Sequence, residues 1–428
     1  TNKKISADRT YRMKHVSSTL TFSVKPQGGQ LLLGGRKVDP SGSYEVSTNV
    51  KHTLTYFHDG FLPVTRTIIL KEDENRRVSI NLKPDIGKVQ IHGSPSAEIY
   101  VDGKKVGEKS VTISLSAIDH LIELRKPGYR TIKRIVRPSS KREKILNENL
   151  ISELTARKSE SPKEYKNSTG IELKLFEPGS FNMGAPRHQK GQRANEFERK
   201  VRLRKLFYAS KYEITNAQFM SFKKGKYGPS NHPVTSITWL DAAAFCNWLS
   251  SKENLSPFYK INNQGFVNTN GKADGYRLLT EAEWEWLARK AGKNKQSIFP
   301  WSDDSVVPPK AGNIADESAN GLTSFYVPNY NDGFAQGAPV GQFPPESSGL
   351  FDLTGNVSEW VHDFYALVPP YRGKVYVDPL GHEYGEAHVV KGASWRSGTR
   401  TLLRPAYREG LVDKKDDVGF RIGRYLYG

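Results

Sequence analysis

The chain of 428 residues carries 64 Lys and Arg against 45 Asp and Glu, and 36% of it is hydrophobic, 25% charged and 11% aromatic. That balance belongs to a folded globular protein of two to four domains and excludes a disordered or fibrous one. No run reaches about 18 apolar residues, and a single cysteine, Cys246, excludes an intramolecular disulfide and any chemistry that needs two thiols.

The net charge of +19 is uneven, because residues 1–150 carry 27 Lys and Arg against 15 Asp and Glu. Such a field attracts nucleic acid, anionic envelope polymers, membrane surfaces and acidic proteins. The basic residues are scattered along strands rather than gathered into an arm or helix, so nucleic acid is not an expected partner. Solvated strand faces account for most of the surplus.

In chain order, residues 16–150 read as β structure. LTFSVKP, YEVSTN, HTLTYFH, TRTIIL and RVSINLKP are short alternating runs broken by Gly, Pro, Asn and Asp. KVQIHG, AEIYVDGKKVG, VTISL and HLIELRKPGYRTIKRIV follow in the same order, with HDGF (58–61) answered by KPGY (126–129). The repetition predicts two copies of one small sandwich, at 16–84 and 85–150. The polar run ISELTARKSESPKEYKNS has no apolar periodicity, so 151–169 is expected to be a linker.

From 170 the texture changes to Gly- and aromatic-rich segments with irregular connections. Two helices stand out. TWLDAAAFCNWLSSK (238–252) has Thr238 and Asp241 at capping spacing and places Ala242, Phe245, Cys246 and Leu249 on one face. RLLTEAEWEWLARKAG (277–292) pairs Thr280 with Glu283, puts Trp284, Leu287 and Ala288 at buried spacing and stops at Gly292. Cys246 is therefore expected to be a core side chain rather than a nucleophile.

The second β copy, through IYVDGKKVG (99–107) and LRKPGYRTI (124–132), resembles the PEGA domain, a noncatalytic module often found outside the cytoplasm. The C-terminal part carries SFNMGA (180–185), YEITNAQFMSF (212–222), AGNIADE (311–317), LFDLTGNVSEW (350–360), VVKGASWRSG (389–398) and VGFRIGR (418–424). Together with both helices these motifs resemble the sulfatase-modifying-factor, or formylglycine-generating-enzyme-like, domain over nearly all of 170–428. The resemblance implies a compact α/β fold of low regular secondary structure, distantly similar to C-type lectins. The whole chain is thus expected to be multidomain, with two small all-β sandwich modules ahead of that domain.

In the catalytic members of this family two cysteines after the Gly-Gly-Ser-Trp-like motif bind copper. Thiolates suit Cu(I), a soft ion that oxygen and nitrogen ligands hold poorly. Laying GASWRSGTRTLLRPAY (392–407) on that motif puts Ser397 and Leu402 at the two positions, so no copper is expected and the domain reads as a pseudoenzyme. Ser394, Trp395, Arg396, Ser397, Arg400 and Leu402 are expected to line a groove, with Trp395 exposed. Arg199, Arg202, Arg204, Arg404 and Arg408 could add a cationic wall, although solvated strand faces explain them equally well. His188, His232, His362, His382 and His388 show no metal-ligand spacing and read as loop and surface residues.

The resemblance also implies two structural calcium sites, whose mix of carboxylates and backbone carbonyls is what Ca²⁺ requires. The first falls on Asn313, Ile314, Asp332 and Phe334. The second falls on Asp352, Gly355, Val357 and Glu359. These features lead to the expectation of a noncatalytic, calcium-stabilised interaction protein of the bacterial periplasm or cell surface, such as an accessory of type VI secretion or of a motility machine. Its partner would be an envelope protein. The alternatives are calcium-dependent binding of carbohydrate, peptidoglycan or anionic polysaccharide, and a metal-dependent oxidoreductase.

Overall fold

The structure is a computed structural model that describes residues 17–262, 267–370 and 375–427. It divides into two compact units between Ala156 and Arg157.

The first unit is β structure through its described residues 17–152. Strands β1 (Ser17–Lys25), β2 (Gln30–Leu33), β3 (Arg36–Val38), β4 (Ser43–Ser47), β5 (His52–Phe57), β6 (Val64–Ile68) and β7 (Asn75–Asn81) form two sheets, ordered β4-β1-β7 and β3-β2-β5-β6. Strands β8 (Ile86–His92), β9 (Glu98–Val101), β10 (Lys104–Glu108), β11 (Ser110–Ser116), β12 (His120–Arg125), β13 (Ile132–Val136) and β14 (Lys144–Asn147) form β11-β8-β14 and β10-β9-β12-β13. The two orders correspond strand for strand, and the first and last strands of each set pair in parallel. Alternating side chains give each set its own core, Leu20, Phe22, Leu54 and Ile80 in one and Val89, Ile91, Ile99 and Ile122 in the other.

The turns correspond as well. HDGF joins β5 to β6 and KPGY joins β12 to β13, with Gly60 and Gly128 both left-handed at φ +81° and +76°. Phe61 bridges Pro84 as Tyr129 bridges Ser152, and the carbonyls of Gly60 and Gly128 accept from Asp85 and Glu153, each at 2.9 Å. Repetition at this level follows from identical turn chemistry at the same place in each strand set.

The expected linker is structured. Helix α1 (Glu153–Glu160) opens with the Ser152 hydroxyl accepting from the Thr155 amide at 3.1 Å. Strand Glu164–Lys166 then forms the edge of a five-stranded sheet in the second unit, next to Glu172–Phe176. Tyr165 is the reason: its ring meets Tyr208 edge-on at 4.8 Å, and its hydroxyl lies 3.2 Å from that of Tyr276. One aromatic residue in a polar run anchors the strand, which periodicity does not register.

The second unit is β-rich with few helices. Its five-stranded sheet continues through Phe207–Ser210, Ile422–Tyr425 and Tyr276–Leu278. Helices α2 (Asn216–Met220), α3 (Trp239–Lys252) and α4 (Glu281–Arg289) each start with a complete capping box, at Thr215/Gln218, Thr238/Asp241 and Thr280/Glu283. Ala242, Phe245, Cys246 and Leu249 of α3 are fully buried. Helix α4 is buried on every side, because its charges are matched: Glu283 with Arg277, Glu285 with Arg289 and Lys391, Glu281 with Arg408. A four-stranded sheet, Arg408–Leu411, His388–Lys391, Ser358–Phe364 and Val418–Phe420 in that order, carries the remaining site segments.

Candidate functional site

The segment 392–407 leaves the end of strand His388–Lys391 and returns as strand Arg408–Leu411. Gly392 makes the exit possible, with φ +83° and a Trp284 ring carbon 2.7 Å from where a Cβ would stand. A tight serine turn follows. The Ser394 hydroxyl donates to Asp417 Oδ2 at 2.8 Å and accepts from the Arg396 amide at 3.2 Å. The Ser397 hydroxyl oxygen accepts from the Ser394 amide at 3.0 Å, and the Ser397 amide donates to the Ser394 carbonyl at 2.8 Å. Ser394 and Ser397 are both buried and spend their polar atoms holding this turn.

One expectation and one alternative reading are corrected here. Trp395 is not exposed: it retains 6% of its surface, its amide donates to the Asn356 carbonyl at 2.9 Å and the Arg396 guanidinium covers its ring at 4.1 Å. Nor do the arginines build a cationic wall. Arg404 and Glu196 form a fully buried pair at 2.6 Å, Arg408 pairs with Glu281 at 2.7 Å, and Arg204 pairs with Asp378 at 3.1 Å. Arg199 lies 3.8 Å from the same Glu281. Long-range carboxylates, invisible to spacing along the chain, pair with Arg199, Arg204, Arg404 and Arg408, while Arg202 lies on an exposed strand face. Arg396 and Arg400 stay exposed, with Arg396 paired to Asp416 at 2.7 Å.

Leu402 is half-buried, and its amide donates to the Thr399 carbonyl at 3.0 Å. The loop ahead of it is apolar on the outside. Gly398 packs so closely on the Phe325 carbonyl that a Cβ would sit 2.1 Å away, and Phe325 and Leu322 are 67% and 51% exposed. Segment 394–402 is therefore bordered by Phe325, whose side chain is exposed, while Arg400 within the segment is exposed as well. Cys246 offers no thiol to this segment: it is buried in α3, and burial pushes its thiol well above the usual range.

The residues assigned to calcium lie on two loops that touch. Gly355 allows the contact, since a Cβ there would stand 2.0 Å from the Asn313 carbonyl oxygen, which accepts from the Asn356 amide at 2.7 Å. Asn313 is fully buried, and Nδ2 donates to the Gln336 carbonyl at 2.8 Å and to Asn356 Oδ1 at 3.3 Å. Its Oδ1 has no hydrogen-bond partner. Asp332 accepts from the amides of Ile314 and Phe334 at 2.9 and 2.8 Å, and Asp316 accepts from the Asp332 amide at 2.5 Å. Burial pushes the Asp332 carboxyl up to about 6, and the neighbouring Asp316 charge adds to this.

In the second loop Asp352 is left-handed, at φ +65°, and nearly fully buried. Oδ2 accepts from the Gly341 amide at 2.6 Å, while Oδ1 has no partner. Burial, helped by the Glu359 charge, pushes it up to about 6. Glu359 is already engaged, by the Arg421 guanidinium at 2.7 Å and by the Trp284 indole at 2.8 Å. Two carboxylates absent from the sequence-derived set stand close by. Glu213 accepts from Asn356 Nδ2 at 2.8 Å and from the Val357 amide at 3.1 Å, and is raised well above its usual range by burial and then by Asp352. Glu346 accepts from Thr354, leaves Oε2 without a partner, and is pushed by burial up to about 8. Among the described residues, only Glu359 of these four carboxylates has an ion-pair partner.

The arrangement fits a hard cation in one specific respect. Asn313 Oδ1 and Asp352 Oδ1 are buried oxygens without donors, a costly state unless something positive lies against them. Among the described residues no three side chains of His, Cys, Asp or Glu converge on a metal by themselves, so a cation in either loop would rely on carbonyls such as those of Ile314, Phe334, Gly355 and Val357. Glu213 and Glu346 were missed although YEITNAQFMSF contains the first and the second stands six residues before Asp352, because nothing in the spacing shows that their carboxylates are buried beside that loop.

Comparison with known proteins gives the context. Residues 158–426 match the family model for the sulfatase-modifying factor enzyme 1-like domain, and residues 87–151 match the PEGA domain. The chaperone protein LppX of Paenibacillus barcinonensis is 33% identical over 178 residues, 37% of this chain and 63% of that protein. The formylglycine-generating enzyme of Mus musculus is 33% identical over 167 residues, 39% of this chain and 36% of the enzyme. The inactive C-alpha-formylglycine-generating enzyme 2 of the same species is 30% identical over 199 residues, 44% of this chain and 48% of that protein. The chain thus spans less than two thirds of the length of each of these relatives.

Proposed function

Because the chain belongs to the sulfatase-modifying factor enzyme 1-like family, we propose that it is a noncatalytic member which binds another protein through the face formed by Arg400, Phe325 and Leu322. The observation that carries this reading is the state of segment 394–402. The Ser397 oxygen is occupied by the Ser394 amide, and the resemblance of GASWRSGTRTLLRPAY to the family motif puts Ser397 and Leu402, neither of them a thiol, at the copper-binding positions. His388, nine residues upstream of Ser397, is held between the rings of Trp239 and Phe364. An exposed phenylalanine and leucine beside an arginine make a surface suited to a protein partner. One relative is named a chaperone and another inactive, which agrees with a role in binding.

Calcium in the loops of Asn313 and Asp352 would stabilise this face rather than react. The PEGA match and the basic N-terminal unit support action in the periplasm or at the cell surface. In this reading both β strand sets are PEGA-like modules that carry the binding domain, which serves as an accessory of a secretion or motility machine.

The test is a crosslinking capture from envelope extracts in calcium, comparing the intact chain with a Phe325→Ala, Arg400→Glu variant. Both residues are exposed, so folding is spared, whereas Trp395→Ala would open the core. One protein captured by the intact chain and lost with the variant supports the reading. Oxygen uptake with copper and a cysteine-containing sulfatase peptide would overturn it in favour of an oxidoreductase.

A further inference from the structure

Three histidines, His362, His382 and His388, meet on one cleft of about 590 Å³ in the second unit. His388 begins the strand whose other end leads into segment 394–402, so the cleft and that segment lie at opposite ends of the strand. The floor is aromatic. The His388 imidazole lies between Trp239, with centroids 3.7 Å and planes 6° apart, and Phe364, at 4.1 Å and 28°.

His362 is held by its neighbours: the Leu278 amide donates to the Tyr259 hydroxyl oxygen at 3.1 Å, and that hydroxyl lies 3.3 Å from His362 Nδ1. Burial pushes His362 down to about 3 and His388 down to about 4, so both rings are neutral at pH 7. On the rim Lys260 and Glu383 supply one charge of each sign, with Asn268 and Thr269 between donor and acceptor character.

A metal ion is a poor occupant. His382 Nε2 is bonded to the Val368 carbonyl at 2.9 Å, and no three ligating side chains converge among the described residues. An anion is no better, because Lys260 is balanced by Glu383. Ring walls, neutral imidazoles and balanced rim charge suit a ligand with an apolar face and hydroxyls that both donate and accept. We propose that this cleft is a binding site for a neutral saccharide. Segment 380–383 also borders a second cleft in which Tyr384 is 85% exposed, so a chain of sugars crosses from one cleft to the other with Tyr384 as the outer platform. The site is separate from the Phe325–Arg400 face, and its failure would leave that reading untouched.

The test is calorimetric titration of the full chain with diacetylchitobiose, maltose and cellobiose, their trisaccharides, and a uronic-acid disaccharide. At least one neutral disaccharide is expected to bind, with affinity falling about tenfold or more in a Lys260→Ala, Glu383→Gln variant, whose two positions are exposed. Tyr384→Ala should weaken the trisaccharide and spare the disaccharide. No neutral sugar bound at about 10 mM, equal binding by the rim variant, or preference for the uronic acid would each overturn the proposal.

Discussion

Arg404 and Glu196, 208 residues apart, face each other with both side chains fully buried and Nη1 2.6 Å from Oε2. Such a pair adds little net stability compared with an apolar pair of the same shape, but removing one partner strands a charge in the core. Glu196→Ala should cost about 3–5 kcal/mol in urea unfolding. Adding Arg404→Leu to it should recover part of that loss, and equal losses in both variants would show that packing, not charge, dominates.

Gly392→Ala tests the exit from strand His388–Lys391. The residue is left-handed, and the Trp284 ring leaves no room for a methyl group. Strain and overpacking together should lower stability by about 1–3 kcal/mol. An unchanged melting temperature would mean that the turn relaxes freely.

Calcium should raise the melting temperature and a chelator should lower it. At a hundredfold excess over Kd, binding to the folded state alone is worth about 2.7 kcal/mol, or about 5 °C or more for a domain of this size. Asn313→Ala and Asp352→Ala should each shrink the calcium-dependent shift, whatever they do to the baseline. A melting temperature indifferent to calcium and chelator would remove calcium from the account.

Without added cation, stability should fall as the pH rises from about 4 to 8. Asp332 and Asp352 are pushed up to about 6 and Glu346 up to about 8, so the folded state holds protons that the unfolded chain has released. Their contribution is complete below the ordinary carboxylate range and is lost as the pH passes through each folded value. Calcium, by replacing those protons, should flatten the slope in thermal melts across this range.

His120 in the second strand set should also matter. Its Nδ1 lies 2.7 Å from Asp102 Oδ2, and its Nε2 lies 3.3 Å from the Ser116 hydroxyl. The order resembles a proton relay, yet the Ala117 and Ile118 amides are bound to the carbonyls of Asp85 and Ser116, which leaves neither as an oxyanion donor. The three residues staple two hairpin turns. His120→Ala should cost about 1–3 kcal/mol in that unit, and hydrolysis of a nitrophenyl ester lost in the variant would contradict the structural role.

The features legible in the sequence were those encoded by near neighbours. Thr238 with Asp241 and Thr280 with Glu283 are three residues apart, and each box satisfies the amides of its own helix start. The left-handed glycines of HDGF and KPGY fix their turns in the same local way, which is why the repetition could be read before any strand was paired. What decided the site was not local. Trp395 is covered by the Arg396 guanidinium and bonded to the loop around Asn356, and Arg404, Arg408 and Arg204, which read as solvated strand faces or a cationic wall, pair with Glu196, Glu281 and Asp378. Glu213 reached the Asp352 loop from more than a hundred residues away, and His362 joined His382 and His388 at one cleft, only when the chain folded. Hydrogen bonds across three residues are written into the chain, whereas burial and charge pairing depend on which distant segments the fold brings together.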